Sequence, residues 1–353
     1  MTRLPLIQER PPKIEPSSIK KILLIRLRRI GDIIMTTPAV SVLREGFPQA
    51  SISYVVEKPY KSLVDGNPNL DKIIALSREK TIRESLSVIR QIRKEKYDLV
   101  LDFHGGPRAS LIALFSKAKL KIGYRIKYRH IIYDIAIPRS KENGYFHSVE
   151  NHINLVKVLG IKVNSLPPLE LPQAQKEEHE KVKRIVNEKG LDSSKNIILH
   201  ISAGNEFRDW GVENLIQLIN LLASLEGIKI ILIGEEEDRN VEEEILRKAD
   251  HPLFSLVGML NLRELRELIS HSTLFVGSDS GPMHIAASTS TPIVAYFGPT
   301  LSAHFAPWMA KASIIEKDFD CRPCKQKQCH YKDFRCLQSI KPEEVYEACL
   351  RYV

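Results

Sequence analysis

Runs of apolar residues recur along this chain at strand length, and between them apolar positions recur at helical spacing. Lys21–Leu27 is almost continuously apolar, which predicts a strand buried on both faces. Thr37–Glu45 has helical spacing, Ser51–Val56 and Lys72–Leu76 predict strands, and Thr81–Glu95 predicts an amphipathic helix with Leu86, Ile89 and Ile92 on one side. Tyr97–Asp102 predicts another strand and Ala109–Phe115 another helix. Buried strands alternating with helices imply a parallel sheet covered on both faces.

The pattern breaks over residues 163–176, where VNSLPPLELPQAQK carries three prolines and no period, so a domain boundary is expected there. Helix-like Lys176–Glu188 follows. A second series then predicts strands at Asn196–Ile201, Lys229–Ile233, Phe254–Leu256, Leu274–Val276 and Pro292–Tyr296. Helices are expected at Val212–Leu225, Asn240–Ala249, Leu262–His271, Pro282–Ser288 and Pro342–Tyr352. The expected organisation is a mobile extension over 1–18, a Rossmann-like domain over 19–165 and a linker over 166–176. A second Rossmann-like domain spans 177–340 with a cysteine-rich loop at 321–336, and a final helix spans 341–353. Two doubly wound α/β domains facing a central cleft are the simplest architecture.

Composition narrows the function. With 43% apolar residues the chain has ample material for cores, which excludes a disordered protein. No apolar run approaches the roughly 18 residues that a membrane span needs. The opening MTRLPLIQERPPKIEPSSIK lacks the apolar stretch of a secretory signal, so a cytoplasmic protein is expected. Lys and Arg exceed Asp and Glu by 52 to 43, a net charge of +9, which favours nucleotide phosphates, nucleic acid or an anionic membrane as partners. No stretch interleaves basic and aromatic residues as a single-strand RNA reader does, and nucleic acid is not expected as a partner.

Ligands of open parallel sheets sit at the carboxyl ends of strands. After the first strand, Arg26 to Asp32 includes Gly31 for a tight turn and Asp32 at its end. Asp32 fits two readings, a general base toward a hydroxyl and a helix N-cap. The spacing is not that of a dinucleotide-binding glycine fingerprint. In the second series, Ser202, Ala203 and Gly204 are small enough for backbone N–H groups to approach a ligand. Arg208 then suits either a phosphate clamp or a solvated surface position over Trp210. The most informative stretch is Gly277 to Ala287, GSDSGPMHIAA. There a buried strand ends in Ser278, Asp279 and Ser280. Gly281 and Pro282 open a helix whose N–H groups suit a diphosphate, and Asp279 and His284 lie within reach of sugar or phosphate. The other reading is a capped helix start with a packed His284.

Cys321-x2-Cys324-x4-Cys329-x6-Cys336 carries one Cys-x2-Cys hook. A structural zinc, reversible disulfides and ordinary loop thiols all fit that spacing. No His and carboxylate set accompanies the thiols, so no catalytic metal is expected.

Together these motifs resemble glycosyltransferase family nine, the bacterial heptosyltransferases of the lipopolysaccharide inner core. The matching pieces are Arg26-x4-Gly31-Asp32, Thr37-Pro38-Ala39, Tyr97 to Asp102, Lys121 to Tyr124, His200 to Trp210, Gly277 to Ala287, Tyr296 to Thr300 and the Cys321 hook. The resemblance implies a GT-B fold and inverting, metal-independent transfer from a nucleotide sugar, with ADP-heptose the expected donor. It implies Asp32 as catalytic base, with Ser202, Gly204, Arg208, Glu237, Ser278, Asp279, Ser280, Gly281 and His284 around the donor. Arg28, Arg29, His104, Arg108 and Arg125 are expected toward an acidic glycolipid acceptor, with peripheral contact at the inner membrane. Arg208 departs from the family's usual lysine, and Ser202-Ala203-Gly204 replaces a proline-glycine turn. Other nucleotide sugars, a nucleotide-sugar epimerase and a non-catalytic nucleotide-binding protein are the alternatives.

Overall fold

The computed structural model describes residues 8–9, 18–78, 82–139, 146–191 and 195–353. Thr81, the expected start of one helix, lies outside them, as does most of the expected extension over 1–18. The chain folds as two compact units, Met1–Pro172 and Gln173–Val353.

Unit 1 runs β1 (Gln8–Glu9), β2 (Lys21–Ile25), α1 (Ile30–Ile34), α2 (Thr37–Gly46), β3 (Ser51–Glu57), β4 (Lys72–Leu76), α3 (Ile82–Glu95) and β5 (Leu99–Asp102). It continues with α4 (Pro107–Phe115), β6 (Leu120–Tyr124), β7 (Ile135–Ile137) and α5 (Ser148–Lys157). Among the described residues its strands lie in the order β1-β7-β6-β5-β2-β3-β4. All pairs are parallel except β1 with β7. Ile22, Leu23, Leu24 and Ile25 are wholly buried, as their unbroken apolar run requires. Each such side chain contributes roughly 1.5–3 kcal/mol. Asp98 fixes the register of the central pair by accepting the Lys20 and Lys21 N–H groups at 2.9 and 3.0 Å. Ile25 thereby pairs with Asp102, and the two strands end together.

Unit 2 runs α6 (Lys176–Glu188), β8 (Lys195–His200), α7 (Val212–Ala223), β9 (Ile228–Ile233), α8 (Arg239–Lys248), β10 (Phe254–Ser255) and α9 (Leu262–Ser270). It continues with β11 (Leu274–Ser278), α10 (Gly281–Ala286), β12 (Ile293–Phe297), α11 (Ser302–Phe305), β13 (Ala312–Glu316), α12 (Arg335–Gln338) and α13 (Pro342–Cys349). Its six strands are all parallel, in the order β10-β9-β8-β11-β12-β13. Trp210 anchors this core, with its ring 4.7 Å from that of Tyr296 and its indole N–H donating to Ile340 O at 2.9 Å. Trp210 therefore packs into the interior and does not sit beneath Arg208 as a surface cushion. Strands β6, β7 and β13 and helix α5 have no counterpart in the apolar pattern. Lys121 and Gly123 interrupt β6, and β7 is only three residues long.

Candidate functional site

Each sheet reverses its strand order beside its first long strand, and such a switch point opens a crevice at the carboxyl ends. In unit 1 the reversal lies between β2 and β5, and in unit 2 between β8 and β11. The loops after these four strands are Arg26–Arg29, Phe103–Gly106, Ile201–Gly211 and Asp279–Ser280. They contain most of the residues expected to act.

In unit 1, Asp32 is the third residue of α1 and not its N-cap, which is Arg29. One carboxylate oxygen accepts the Arg29 N–H at 3.3 Å, while the other meets the Arg26 guanidinium at 2.6 Å. The Asp32 side chain remains 40% exposed, whereas Arg26 is 7% exposed. Burial pushes the Asp32 carboxyl up, but the Arg26 charge and the Arg29 N–H outweigh it and hold the group below its ordinary value. Arg26 is itself fixed by donating to Phe103 O at 2.7 Å, which ties the β2 loop to the β5 loop.

The β5 loop is shaped by Asp102, which is fully buried. It accepts the His104 and Gly105 N–H groups at 2.8 Å each and the Tyr133 hydroxyl at 2.6 Å. Burial raises the Asp102 carboxyl. His104 is thereby presented beside Arg26, and burial followed by the Arg26 charge lowers its imidazole to about 4, so it is neutral at pH 7. Its buried Nδ1 has no hydrogen-bond partner among the described residues. Arg139 lies over the Tyr124 ring at 4.3 Å, and Tyr124 shares a 2.7 Å hydrogen bond with His152. Burial and the charges of Arg26 and Arg139 lower His152 well below its ordinary value.

The other cations expected here are dispersed. Arg28 and Arg29 are exposed in the β2 loop, and Arg125 is exposed beyond β6. Arg108 is turned inward, donating to Ser77 O at 2.8 Å with Glu57 at 3.9 Å. It reaches the segment after β4 through Ser77 O, and this inward hydrogen bond turns it away from the exposed position expected of an acceptor contact.

In unit 2 the β8 and β11 loops meet directly. Arg208 donates to Asp279 O at 3.1 Å, and its guanidinium lies 3.4 Å from the Asp279 carboxylate. Asp279 also accepts the Thr300 hydroxyl at 2.6 Å. The Ser202 hydroxyl accepts the Gly204 N–H at 3.1 Å, and Gly204 needs its freedom because its φ is +61°. Ser278, Asp279, Ser280 and His284 are all buried, and Ser280 shares a 3.2 Å hydrogen bond with His200. Gly281 opens α10, so Pro282 is its second residue. The first-turn N–H groups lack intrahelical partners by geometry. Glu237 is exposed in the turn after β9. Its neighbour Asp238 lies closer to the loop, where its charge acts on His200 and Asp209.

The cysteine-rich loop packs against the turn that follows β12. Cys321, Cys324, Cys329 and Cys336 are free thiols, with Cys336 in the core of unit 2. Among the described residues no group of three or more His, Cys, Asp or Glu side chains is arranged to hold a metal ion. The loop docks instead on the β12 turn: the Cys324 N–H donates to Pro299 O at 2.8 Å, and Arg322 donates to Thr300 O at 2.6 Å. This brings the Gln326 carbonyl to Arg208 Nε at 3.0 Å and to Asn205 at 2.8 Å.

Two doubly wound units with polar and charged side chains at their switch points define a protein of the GT-B class. The description of glycosyltransferase family 9 (heptosyltransferase) matches residues 85–335, more than half of the chain. The chain belongs to glycosyltransferase family 9, and it is an enzyme of the glycosyltransferase type. It is 26% identical over 291 residues to lipopolysaccharide heptosyltransferase 3 of Escherichia coli (strain K12), covering 80% of this chain and 83% of that protein. It is 26% identical over 325 residues to lipooligosaccharide heptosyltransferase 2 of Campylobacter jejuni, covering 90% and 93%. The structure of a family 9 glycosyl transferase from Veillonella parvula matches with a TM-score of 0.83 at 23% identity, over 94% and 97% of the two chains. That of E. coli ADP-heptose lps heptosyltransferase II matches at 0.77 and 22%, over 94% and 98%. These structures share the GT-B fold with this chain.

Proposed function

We propose that this glycosyltransferase moves a heptose from ADP-heptose to an acidic glycolipid of the lipopolysaccharide inner core, with inversion, at the cytoplasmic face of the inner membrane. The names of the relatives support the sugar and the acceptor class. The observation that carries the chemistry is the Asp32 carboxylate, held ionised by Arg26 at 2.6 Å and still 40% exposed at the β2 end.

In the proposed step an acceptor hydroxyl attacks the anomeric carbon while its proton passes to the open side of the Asp32 carboxylate. A carbon–oxygen bond forms to the acceptor, and the bond to the diphosphate breaks with its electrons leaving on ADP. The base is weak, and it acts late, as the hydroxyl becomes acidic in the transition state. Arg208 and the N–H groups at Gly281 meet the charge growing on the diphosphate. For Arg208 this means exchanging part of its contact with Asp279 for phosphate. The acceptor's negative groups suit Arg28 and Arg139, and the unpartnered Nδ1 of His104 suits a hydroxyl. An unmet buried polar atom costs about 1–3 kcal/mol, which a bound hydroxyl would relieve.

The test supplies the purified chain with heptose-free core glycolipid and either ADP-heptose or UDP-N-acetylglucosamine, and reads ADP or UDP release together with the product's anomeric configuration. Transfer from ADP-heptose with the configuration inverted is expected. Transfer from the UDP sugar alone, or retained configuration, would overturn the donor or the displacement.

A further inference from the structure

We propose that the part of unit 1 formed by α4 and the segment 125–131 is the surface on which this chain docks to an anionic lipid bilayer. A helix facing water normally turns polar residues outward. Helix α4, PRASLIALF, does not. Ala109, Ile112 and Ala113 are buried against the sheet, yet the opposite side presents Leu111, Leu114 and Phe115 at 49%, 43% and 46% exposure. The turn His130–Ile132, which packs on α4, carries Ile131 at 79% exposure, and Tyr128, two positions before that turn, is 77% exposed. Large apolar side chains concentrated on two touching elements are unusual on a surface that meets only water.

The charge around them identifies the occupant. Residues 103–133 contain no Asp or Glu, while they carry Arg108, Lys117, Lys119, Lys121, Arg125, Lys127 and Arg129. Lys119 and Lys121 pair with Asp98 and Asp134 from outside the segment. Lys117 and Lys127 are exposed, and Lys127 sits 5.1 Å from the centre of the Tyr128 ring. Apolar and aromatic side chains set among cations, with no acidic residue in the segment, match the boundary between acyl chains and anionic headgroups. A protein partner with an apolar patch would use the leucines but would not ask for the absence of every acid. Among the described residues no helix is long and apolar enough to cross a membrane, so the contact is a surface one.

This inference rests on the membrane contact proposed above and assigns it a place. The test is co-sedimentation of the full chain with vesicles of phosphatidylcholine alone or of phosphatidylcholine with phosphatidylglycerol, which needs no turnover. The wild type should bind the phosphatidylglycerol vesicles and release them in high salt. Each basic residue near an anionic leaflet is worth about fivefold in affinity, so Lys117→Gln with Lys127→Gln should lose about 25-fold. Leu114→Ser with Tyr128→Ser and Ile131→Ser should abolish sedimentation, while the circular dichroism spectrum and ADP affinity stay unchanged. Wild-type binding that both sets of substitutions leave intact would overturn this surface and spare the membrane reading. No wild-type binding to either vesicle would overturn both. Unchanged vesicle binding with a change in solution mass would assign the patch to self-association and overturn the proposal.

Discussion

Replacing Arg26 by Met should cost stability and move the acid limb of the rate profile upward, because one guanidinium performs both tasks. It donates to Phe103 O at 2.7 Å and pairs with Asp32 at 2.6 Å. Hydrogen bonds involving a charged group contribute about 1.5–3 kcal/mol each. The Phe103 bond is buried and belongs in the upper part of that range; the Asp32 carboxylate is 40% exposed and belongs in the lower part. The loss should be roughly 4 kcal/mol in unit 1, read by urea unfolding of the full chain. The folded value of Asp32 lies below its ordinary 3.8, so the pair's contribution is complete above that ordinary value. It is lost as pH falls through the folded value, and the gap between wild type and variant should narrow in that acid window. Without Arg26, burial of Asp32 is opposed only by the Arg29 N–H and the weaker influence of His152, so its carboxyl should rise and the acid limb of kcat/KM should move to higher pH. Arg26→Lys, which keeps a charge, should fold better and shift the limb less. An acid limb at its wild-type position in both variants would refute the coupling of Arg26 to the base.

Arg208→Ala should weaken ADP binding by about 10- to 150-fold by calorimetry, the equivalent of about 1.5–3 kcal/mol for a charged hydrogen-bonding group; unaltered affinity would remove Arg208 from the donor site. Tyr133→Phe leaves the buried Asp102 carboxylate one donor short at a 2.6 Å bond, and should destabilise unit 1 by about 1–3 kcal/mol in urea. Its KM for acceptor should also rise, because Asp102 shapes the His104 loop; a variant as stable as wild type would show that bond to be dispensable.

The sequence made the parallel core of both sheets legible because β2, β3, β5, β8, β9, β11 and β12 are largely buried on both faces and therefore read as mostly apolar runs of strand length. The Asp32 turn and the Gly277–Ala287 stretch were legible for a related reason: small and polar residues directly follow such runs. What escaped was everything fixed by distant partners. Arg26 stands in the sequence only as the first residue of the Arg26-x4-Gly31-Asp32 motif, and nothing in its spacing announces Phe103, 77 positions away. Tyr124, Tyr133, Arg139 and His152 gather around unit 1's switch point from the end of β6, from the segments flanking the three-residue β7 and from α5, none of which the apolar pattern marks. Gln326 reaches Arg208 across 118 positions, carried by a loop whose cysteine spacing says nothing of that contact. Arg108 is a candidate ligand by charge, and the Ser77 carbonyl that turns it inward lies 31 positions away, where no pattern marks it.

The most direct test of the central claim is the turnover of Asp32→Asn with ADP-heptose and core glycolipid, measured beside its affinity for ADP. The account predicts a loss of about 10²–10⁴-fold in turnover, the range for removing a general base, with ADP affinity unchanged. Turnover near that of the wild type would contradict it and remove Asp32 as the base.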